Sequence, residues 1–204
     1  ASMPDFKKTM CDYFTACEKL GHQLLGMLSE GMELPYETFH PDFGDRHTGF
    51  MRLNYYPLED PLAQSESADA TPLGDMALHH HTDAGVLTVL LQDDAGGLEA
   101  MVDGDWIDVT PIEGALIINV GDMMQVWSNE QYRALLHRVR PVHGRSRYSI
   151  PFFLNPSYET DCTPLGSEPA RYRPVNWGDF RRARADGDYA DYGKEIQIED
   201  FRIS

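Results

Sequence analysis

Residues 76–154 read MALHHHTDAGVLTVLLQDDAGGLEAMVDGDWIDVTPIEGALIINVGDMMQVWSNEQYRALLHRVRPVHGRSRYSIPFFL. Short apolar runs rich in Val, Ile, Leu and aromatic residues alternate here with turn residues, the pattern of consecutive strands. The runs are Met76–His81, Gly85–Gln92, Gly97–Val102, Trp106–Val109, Ala115–Val120, Met123–Ser128, Ala134–Arg140 and Arg147–Leu154. Gly96-Gly97, Asp103-Gly104, Gly114, Gly121-Asp122, Asn129 and Gly144 fall between them and supply the positive φ values that tight connections require. No helical stretch separates the runs, so antiparallel sheets closed into a sandwich or barrel are expected.

Upstream, Gly49–Tyr56 reads as one more strand, stopped by Pro57, which cannot donate to a ladder. The Ser-, Asp-, Glu- and Pro-rich stretch Leu58–Asp75 that follows reads as a long loop, either disordered or an active-site lid. From Pro4 to Leu28, apolar residues at Phe6, Met10, Phe14, Cys17, Leu20, Leu24 and Leu28 recur at spacings of three and four, which lays one stripe along a helix ending near Gly31. Trp177–Asp186 reads as a second helix, with Trp177, Phe180 and Ala183 toward the barrel. One unit is expected over residues 1–204: helical support over 1–47, a jelly-roll core over 48–155 and a C-terminal extension with a helix over 156–204.

Composition limits the partners. Lys and Arg number 17 against 33 Asp and Glu, and a formal charge of −16 opposes phosphate backbones and anionic lipid, so no nucleic acid and no membrane are expected. Arg181, Arg182 and Arg184 share their segment with Asp179, Asp186 and Asp188 and read as a solvated helix face. Cys11, Cys17 and Cys162 form neither an even set nor a CxxC pair, which argues against a disulfide framework and a zinc ribbon and for a reducing compartment. No apolar run approaches the roughly 20 residues of a spanning helix, and the amino terminus lacks the order of a signal peptide, so a cytoplasmic location is expected.

The chemistry gathers around His79-His80-His81-Thr82-Asp83 and His137. Residues i and i+2 of an extended segment project to one side, so His81 and Asp83 can bind one ion together, and a third ligand from another strand completes a face. Two His and one carboxylate leave three positions of an octahedral ion open, the arrangement of an iron(II) that binds a co-substrate and O₂, although zinc accepts the same ligands. His79 and His80 compete for the first place, but neither stands two residues before a carboxylate; His40, His47 and His143 lie in polar loops. The same parity puts Arg147 and Ser149 together, a fork and a hydroxyl able to hold a carboxylate, with a surface ion pair as the alternative. Phe153 shares that parity and should point inward, as a substrate wall or as plain core. Asp93-Asp94 and the pair Asp103 and Asp105 fall in hairpin turns, where exposed Asp is expected without any hydrolytic role.

Taken in order, Asn54-Tyr55-Tyr56-Pro57, His81-Thr82-Asp83, Leu87–Leu98, Asn119-Val120-Gly121-Asp122, Ser128-Asn129, Leu136-His137-Arg138-Val139 and Arg147–Phe153 form a specific set. With these motifs the sequence resembles the 2-oxoglutarate- and Fe(II)-dependent oxygenases of the isopenicillin N synthase-like superfamily, relatives of flavonoid oxygenases and ethylene-forming oxidases. The resemblance implies a mainly β fold, the double-stranded β-helix or distorted, cupin-like jelly roll, with flanking N- and C-terminal helices. It implies His81, Asp83 and His137 as iron ligands, Arg147 and Ser149 as the clamp on the distal carboxylate of 2-oxoglutarate, and Tyr56 and Asn54 as further co-substrate contacts. A small organic substrate would be oxidised by O₂, with hydroxylation the foremost outcome, and 2-oxoglutarate would leave as succinate and CO₂. The alternatives are an oxidase of the same fold that does not use 2-oxoglutarate and a non-catalytic, metal-binding, cupin-like protein. Members of the family usually carry a further amino-terminal region, and the sequence as given lacks it; it also opens on Ala-Ser-Met, which allows residues upstream.

Overall fold

The computed structural model describes residues 3–44, 46–57, 77–142, 144–166, 168–190 and 196–203. The stretch expected to be a lid, Leu58–Asp75, lies outside the described residues, as do Met76 and His143.

Helix α1 (Phe6–Gly31) comes first, with Met32 at its C-cap. Its inward stripe runs Cys17, Gly21, Leu25 and Ser29, all buried. Phe6, at the start of the expected stripe, is 47% exposed, so the contact with the barrel is made by the later turns. Strands β1 (Phe50–Met51), β2 (Asn54–Tyr56), β3 (Leu78–His81), β4 (Leu87–Gln92), β5 (Leu98–Val102), β6 (Asp105–Asp108), β7 (Ile117–Val120), β8 (His137–Val139) and β9 (Arg147–Leu154) follow, with helix α2 (Asp122–Trp127) between β7 and β8. One sheet runs β1-β9-β4-β7 with β2 also on β9; the other runs β3-β8-β5-β6. Every pairing is antiparallel. The two sheets form the expected double-stranded β-helix, and β10 (Asp161–Cys162), β11 (Val175–Asn176) and α3 (Trp177–Ala190) close the chain around it.

Strand β9 shows why the sheet has two working faces. Phe152 and Leu154 are fully buried on the side of α1, where Phe14 meets Phe152 edge-on at 5.0 Å. A Cβ at Gly21 would come within 2.8 Å of Leu154, so glycine lets the helix approach the strand closely. Arg147, Ser149, Pro151 and Phe153, of opposite parity, line a cavity between the sheets.

The run Met123–Ser128, expected to be a strand, falls on helix α2 and its C-cap, Ser128. All six residues of α2 are buried, Asp122 and Gln125 with them, so no exposed face marks a helical period, and so short a buried run does not distinguish strand from helix. Gly121 is likewise not a positive-φ position: its φ is −103, and it is needed for space instead. A Cβ there would lie 2.4 Å from the Gly85 carbonyl oxygen and 2.8 Å from that of Asp83. Gly96, Gly97, Asp103, Gly104, Gly114, Asn129 and Gly144 do take positive φ, as turn chemistry requires.

Candidate metal centre and anion clamp

His81 ends β3 and faces His137, the first residue of β8, as its direct cross-strand partner. Asp83 lies two residues beyond His81, and its Oδ1 is 3.8 Å from His81 Nε2 and 3.7 Å from His137 Nε2. One ligand atom from each of the three residues lies within 4.8 Å of the others, close enough to hold one metal ion. Both imidazoles are oriented for metal binding. His81 Nδ1 donates to the His79 carbonyl oxygen at 2.8 Å and His137 Nδ1 to that of Leu135 at 2.9 Å. A carbonyl only accepts, so the proton sits on Nδ1 and the Nε2 lone pair faces the centre. Burial, followed by the nearby His137 imidazole, lowers the pKa of His81, which favours the neutral ring that a metal needs. His80 instead turns toward Trp106 on β6, with ring centroids 6.5 Å apart.

The carboxylate is held as firmly. Thr88 Oγ1 donates to Asp83 Oδ2 at 2.6 Å and Asn119 Nδ2 donates to the same oxygen at 2.8 Å, which leaves Oδ1 for an ion. Thr88 and Asn119 are register partners on β4 and β7. Behind them, the first helical N–H groups of α2 have no partner within the helix. Asp122 N and Met123 N donate to the carbonyl oxygens of Asp83 and Gly85, at 2.8 and 2.9 Å. Asp122 is fully buried; burial pushes its carboxyl up to about 7, with Arg184 pulling the other way. Arg184 Nη1 donates to Asp122 Oδ2 at 3.2 Å and Nη2 to the Thr82 carbonyl oxygen at 3.2 Å. The solvated-face reading therefore fails for Arg184, which is 5% exposed, because α3 turns this residue inward onto a buried acid. Arg182 keeps that reading, exposed and paired with Asp179.

Arg147 is 2% exposed. Its Nε donates to the Gly96 carbonyl oxygen at 2.9 Å, Nη1 to Ser149 Oγ at 3.3 Å and Nη2 to Gln92 Oε1 at 3.2 Å. These acceptors are neutral, and no carboxylate among the described residues pairs with it. Across the ladder, Tyr56 stands opposite Arg147 and Asn54 opposite Ser149. The Arg147 guanidinium lies 5.0 Å from the centroid of the Tyr56 ring, and Asn54 Nδ2 donates to Ser149 Oγ at 3.4 Å. Phe153 stacks on Phe50 with centroids 4.7 Å apart. The cavity has a volume of about 570 Å³ and is lined by all eight predicted residues: His81, Asp83, His137, Arg147, Ser149, Tyr56, Asn54 and Phe153. Of the acids set aside as turn residues, Asp94 and Asp103 do occupy turns, with Asp93 capping Ala95 N beside the first and Asp94 pairing with Arg145, whereas Asp105 is the first residue of β6.

Sequence reading did not assign the supports Thr88, Asn119, Gln92, Asp122 and Arg184. Strand parity brings Thr88, Asn119 and Gln92 within reach, since Gln92 also stands opposite Ser149, whereas nothing local points to Arg184, 62 residues from Asp122.

A sheet pair enclosing two His and one carboxylate, with a buried arginine on the same cavity, defines a double-stranded β-helix with a candidate metal centre and a candidate anion site. Residues 47–156 match the family described as the 2OG-Fe(II) oxygenase superfamily, and the chain belongs to that family. It is 33% identical over 193 residues to the 2-oxoglutarate-Fe(II) type oxidoreductase hxnY of Emericella nidulans, covering 89% of this chain and 53% of that protein. The structure is similar to JOX2 in complex with 2OG, Fe and JA, at a TM-score of 0.76 and 30% identity, covering 89% of this chain and 53% of that one. It is also similar to the dioxygenase for auxin oxidation in rice, at a TM-score of 0.77 and 26% identity, covering 99% and 65%. The chain spans about half the length of the curated relatives it matches.

Proposed function

We propose that the chain carries the catalytic centre of a 2-oxoglutarate-dependent Fe(II) dioxygenase that hydroxylates a small organic molecule. The observation that carries this reading is Arg147. A guanidinium that is 2% exposed and surrounded by neutral acceptors is costly to bury, and an anionic ligand offsets that cost. The donor set fits iron(II): two imidazoles with fixed tautomers and one carboxylate oxygen, on one side, leave room for a chelating co-substrate.

In this reading His81, Asp83 and His137 hold the iron. Arg147 and Ser149, backed by Tyr56 and Asn54, hold the distal carboxylate of 2-oxoglutarate and so set which way its 2-oxo acid end points. When bound, iron and 2-oxoglutarate supply the O₂-dependent redox chemistry, with the balance R–H + O₂ + 2-oxoglutarate → R–OH + succinate + CO₂. Phe153 with Phe50 offers a flat apolar surface for the substrate on the cavity wall. Thr88 and Asn119 hold Asp83 so that its second oxygen does not turn toward the ion.

The test is to load the chain with iron(II) without oxygen and titrate 2-oxoglutarate, following the weak visible absorption of an iron(II)–2-oxo acid chelate. A saturable band is expected, with iron retention lost in His137→Ala. In Arg147→Ala the band should require roughly ten- to a hundredfold more 2-oxoglutarate. A folded, iron-bound chain that develops no band would move the assignment to an oxidase without 2-oxoglutarate or to a metal-binding protein without catalysis.

A further inference from the structure

The wall that carries the clamp continues past it. β1 and β2 run along β9 in one register: Tyr56 opposite Arg147, Asn54 opposite Ser149, Phe50 opposite Phe153. Arg52 falls between them, its N–H donating to the Pro151 carbonyl oxygen at 3.0 Å. The ladder is interrupted there because Pro151 has no N–H to return. Leu53 and Tyr55, of the other parity, are each 53% exposed, while Phe50, Asn54 and Tyr56 line the cavity half-buried and Arg52 lines it from an exposed position. Arg52 therefore stands about 13 Å along the strand from Tyr56 and Arg147, at the same end of the wall as the stacked Phe50–Phe153 pair.

A second cation reaches the cavity from α3, where Trp177, Arg181 and Arg184 line it at the spacing of one helix face. Arg184 is engaged with Asp122 and Thr82. Neither Arg52 nor Arg181 pairs with a carboxylate among the described residues, although the chain as a whole carries 33 acidic against 17 basic residues. Among the described residues lining the cavity, Asp83 is the single carboxylate, and it faces the metal position. With Arg184 paired to Asp122, the cavity keeps three further arginines against one acid, in a chain of charge −16, and so favours anions. Arg147 accounts for one of them in the proposed reaction; Arg52 and Arg181 answer to a second.

Resting on that reading, we propose that the molecule oxidised is an organic acid, its carboxylate bound by Arg52 and Arg181 and its apolar body seated against Phe50 and Phe153. The lining otherwise consists largely of side chains such as Leu78, Leu90, Leu98 and Val139, which suit a carbon skeleton rather than a sugar or nucleotide.

The experiment is a calorimetric titration of the full chain, loaded with zinc(II) and saturating 2-oxoglutarate, with 4-phenylbutyrate and with its amide, 4-phenylbutanamide. The acid is expected to bind at least about tenfold tighter than the amide, the scale of charge-assisted hydrogen bonds. The preference should vanish in an Arg52→Leu, Arg181→Leu double variant and persist in Arg182→Leu, which removes a charge from the same helix outside the cavity. Arg52→Gln with Arg181→Gln serves if the leucine pair does not fold. In Arg147→Ala the preference should survive while 2-oxoglutarate binding weakens by roughly ten- to a hundredfold. Equal binding of acid and amide, no saturable binding of the acid at millimolar concentration, or a preference that follows Arg147 instead of Arg52 and Arg181 overturns the proposal. Loss of 2-oxoglutarate binding by the unmodified chain sinks the dioxygenase reading and leaves the acid-to-amide comparison readable; intact 2-oxoglutarate binding without acid preference sinks the organic-acid proposal alone.

Discussion

The backbone N–H of Asp122 donates to the carbonyl oxygen of Asp83 at 2.8 Å, so the start of helix α2 holds the segment that carries the carboxylate of the candidate metal centre. The same Asp122 carboxylate takes Arg184, and Arg184 takes the Thr82 carbonyl, which fastens the segment from both sides. The geometry of the candidate metal centre thus also depends on a helix and an arginine that hold this segment through its backbone carbonyls.

Arg184→Leu leaves a fully buried carboxylate without its cation. Removing one partner of a buried ion pair costs about 3–5 kcal/mol, so the urea midpoint should fall sharply with the slope unchanged. Asp122→Asn keeps the helix N–H groups in place and should lose less. Equal stability of Arg184→Leu and the unmodified chain would show that the pair does not hold the segment.

Thr88→Val and Asn119→Ala each free one side of Asp83 Oδ2. Losing a partner that orients a metal-binding carboxylate weakens metal affinity by about 10–100-fold, measured by competition with a chromogenic chelator. Thermal unfolding of the metal-free chain should shift little by comparison.

Gly121→Ala places a Cβ 2.4 Å from one backbone carbonyl oxygen and 2.8 Å from another, neither of which is a flexible side-chain end. Relief of that overlap has to move the Asp83–Gly85 backbone, so a loss of about 1–3 kcal/mol is expected together with weaker metal binding. Metal affinity unchanged in a destabilised Gly121→Ala chain would separate the helix contact from the site.

Arg147→Lys retains the charge and loses the planar fork. Since Arg147 uses three nitrogens on Gly96, Ser149 and Gln92, lysine cannot reproduce the arrangement, and 2-oxoglutarate affinity should drop by about tenfold with iron affinity intact.

Burial raises the Glu99 carboxyl, but Arg138 and Arg140 more than offset it and hold it below its ordinary value of 4.5. A carboxylate depressed in the folded state stabilises fully above the unfolded value and loses that contribution as pH falls through the folded one. The stability gap between the unmodified chain and Glu99→Gln should therefore be widest at neutral pH and close in the acid range, followed by urea midpoints against pH. A gap independent of pH would assign the effect to packing.

Much of the site follows from period-two parity along strands. Arg147, Ser149 and Phe153 face one way because alternate residues must, and His81 with Asp83 obeys the same rule. Polarity also marks the turns, where Asp103 and Asn129 take positive φ as their residue types allow. The misassigned helix α2 is buried on every side, so that burial erases the periodicity that would have named it.

The chain by itself determined most of the strands, their facing and the residues that meet at the candidate metal centre and around Arg147, because these depend on local alternation and on residue chemistry. Tertiary structure alone decided what holds them: Thr88 and Asn119 on Asp83, α2 against the Asp83–Gly85 backbone, Arg184 turned inward, and Arg52 brought opposite Pro151. The physical reason is that a hydrogen bond between residues 36 or 62 positions apart is selected by how the elements close on one another, and no periodicity in the sequence records that closure.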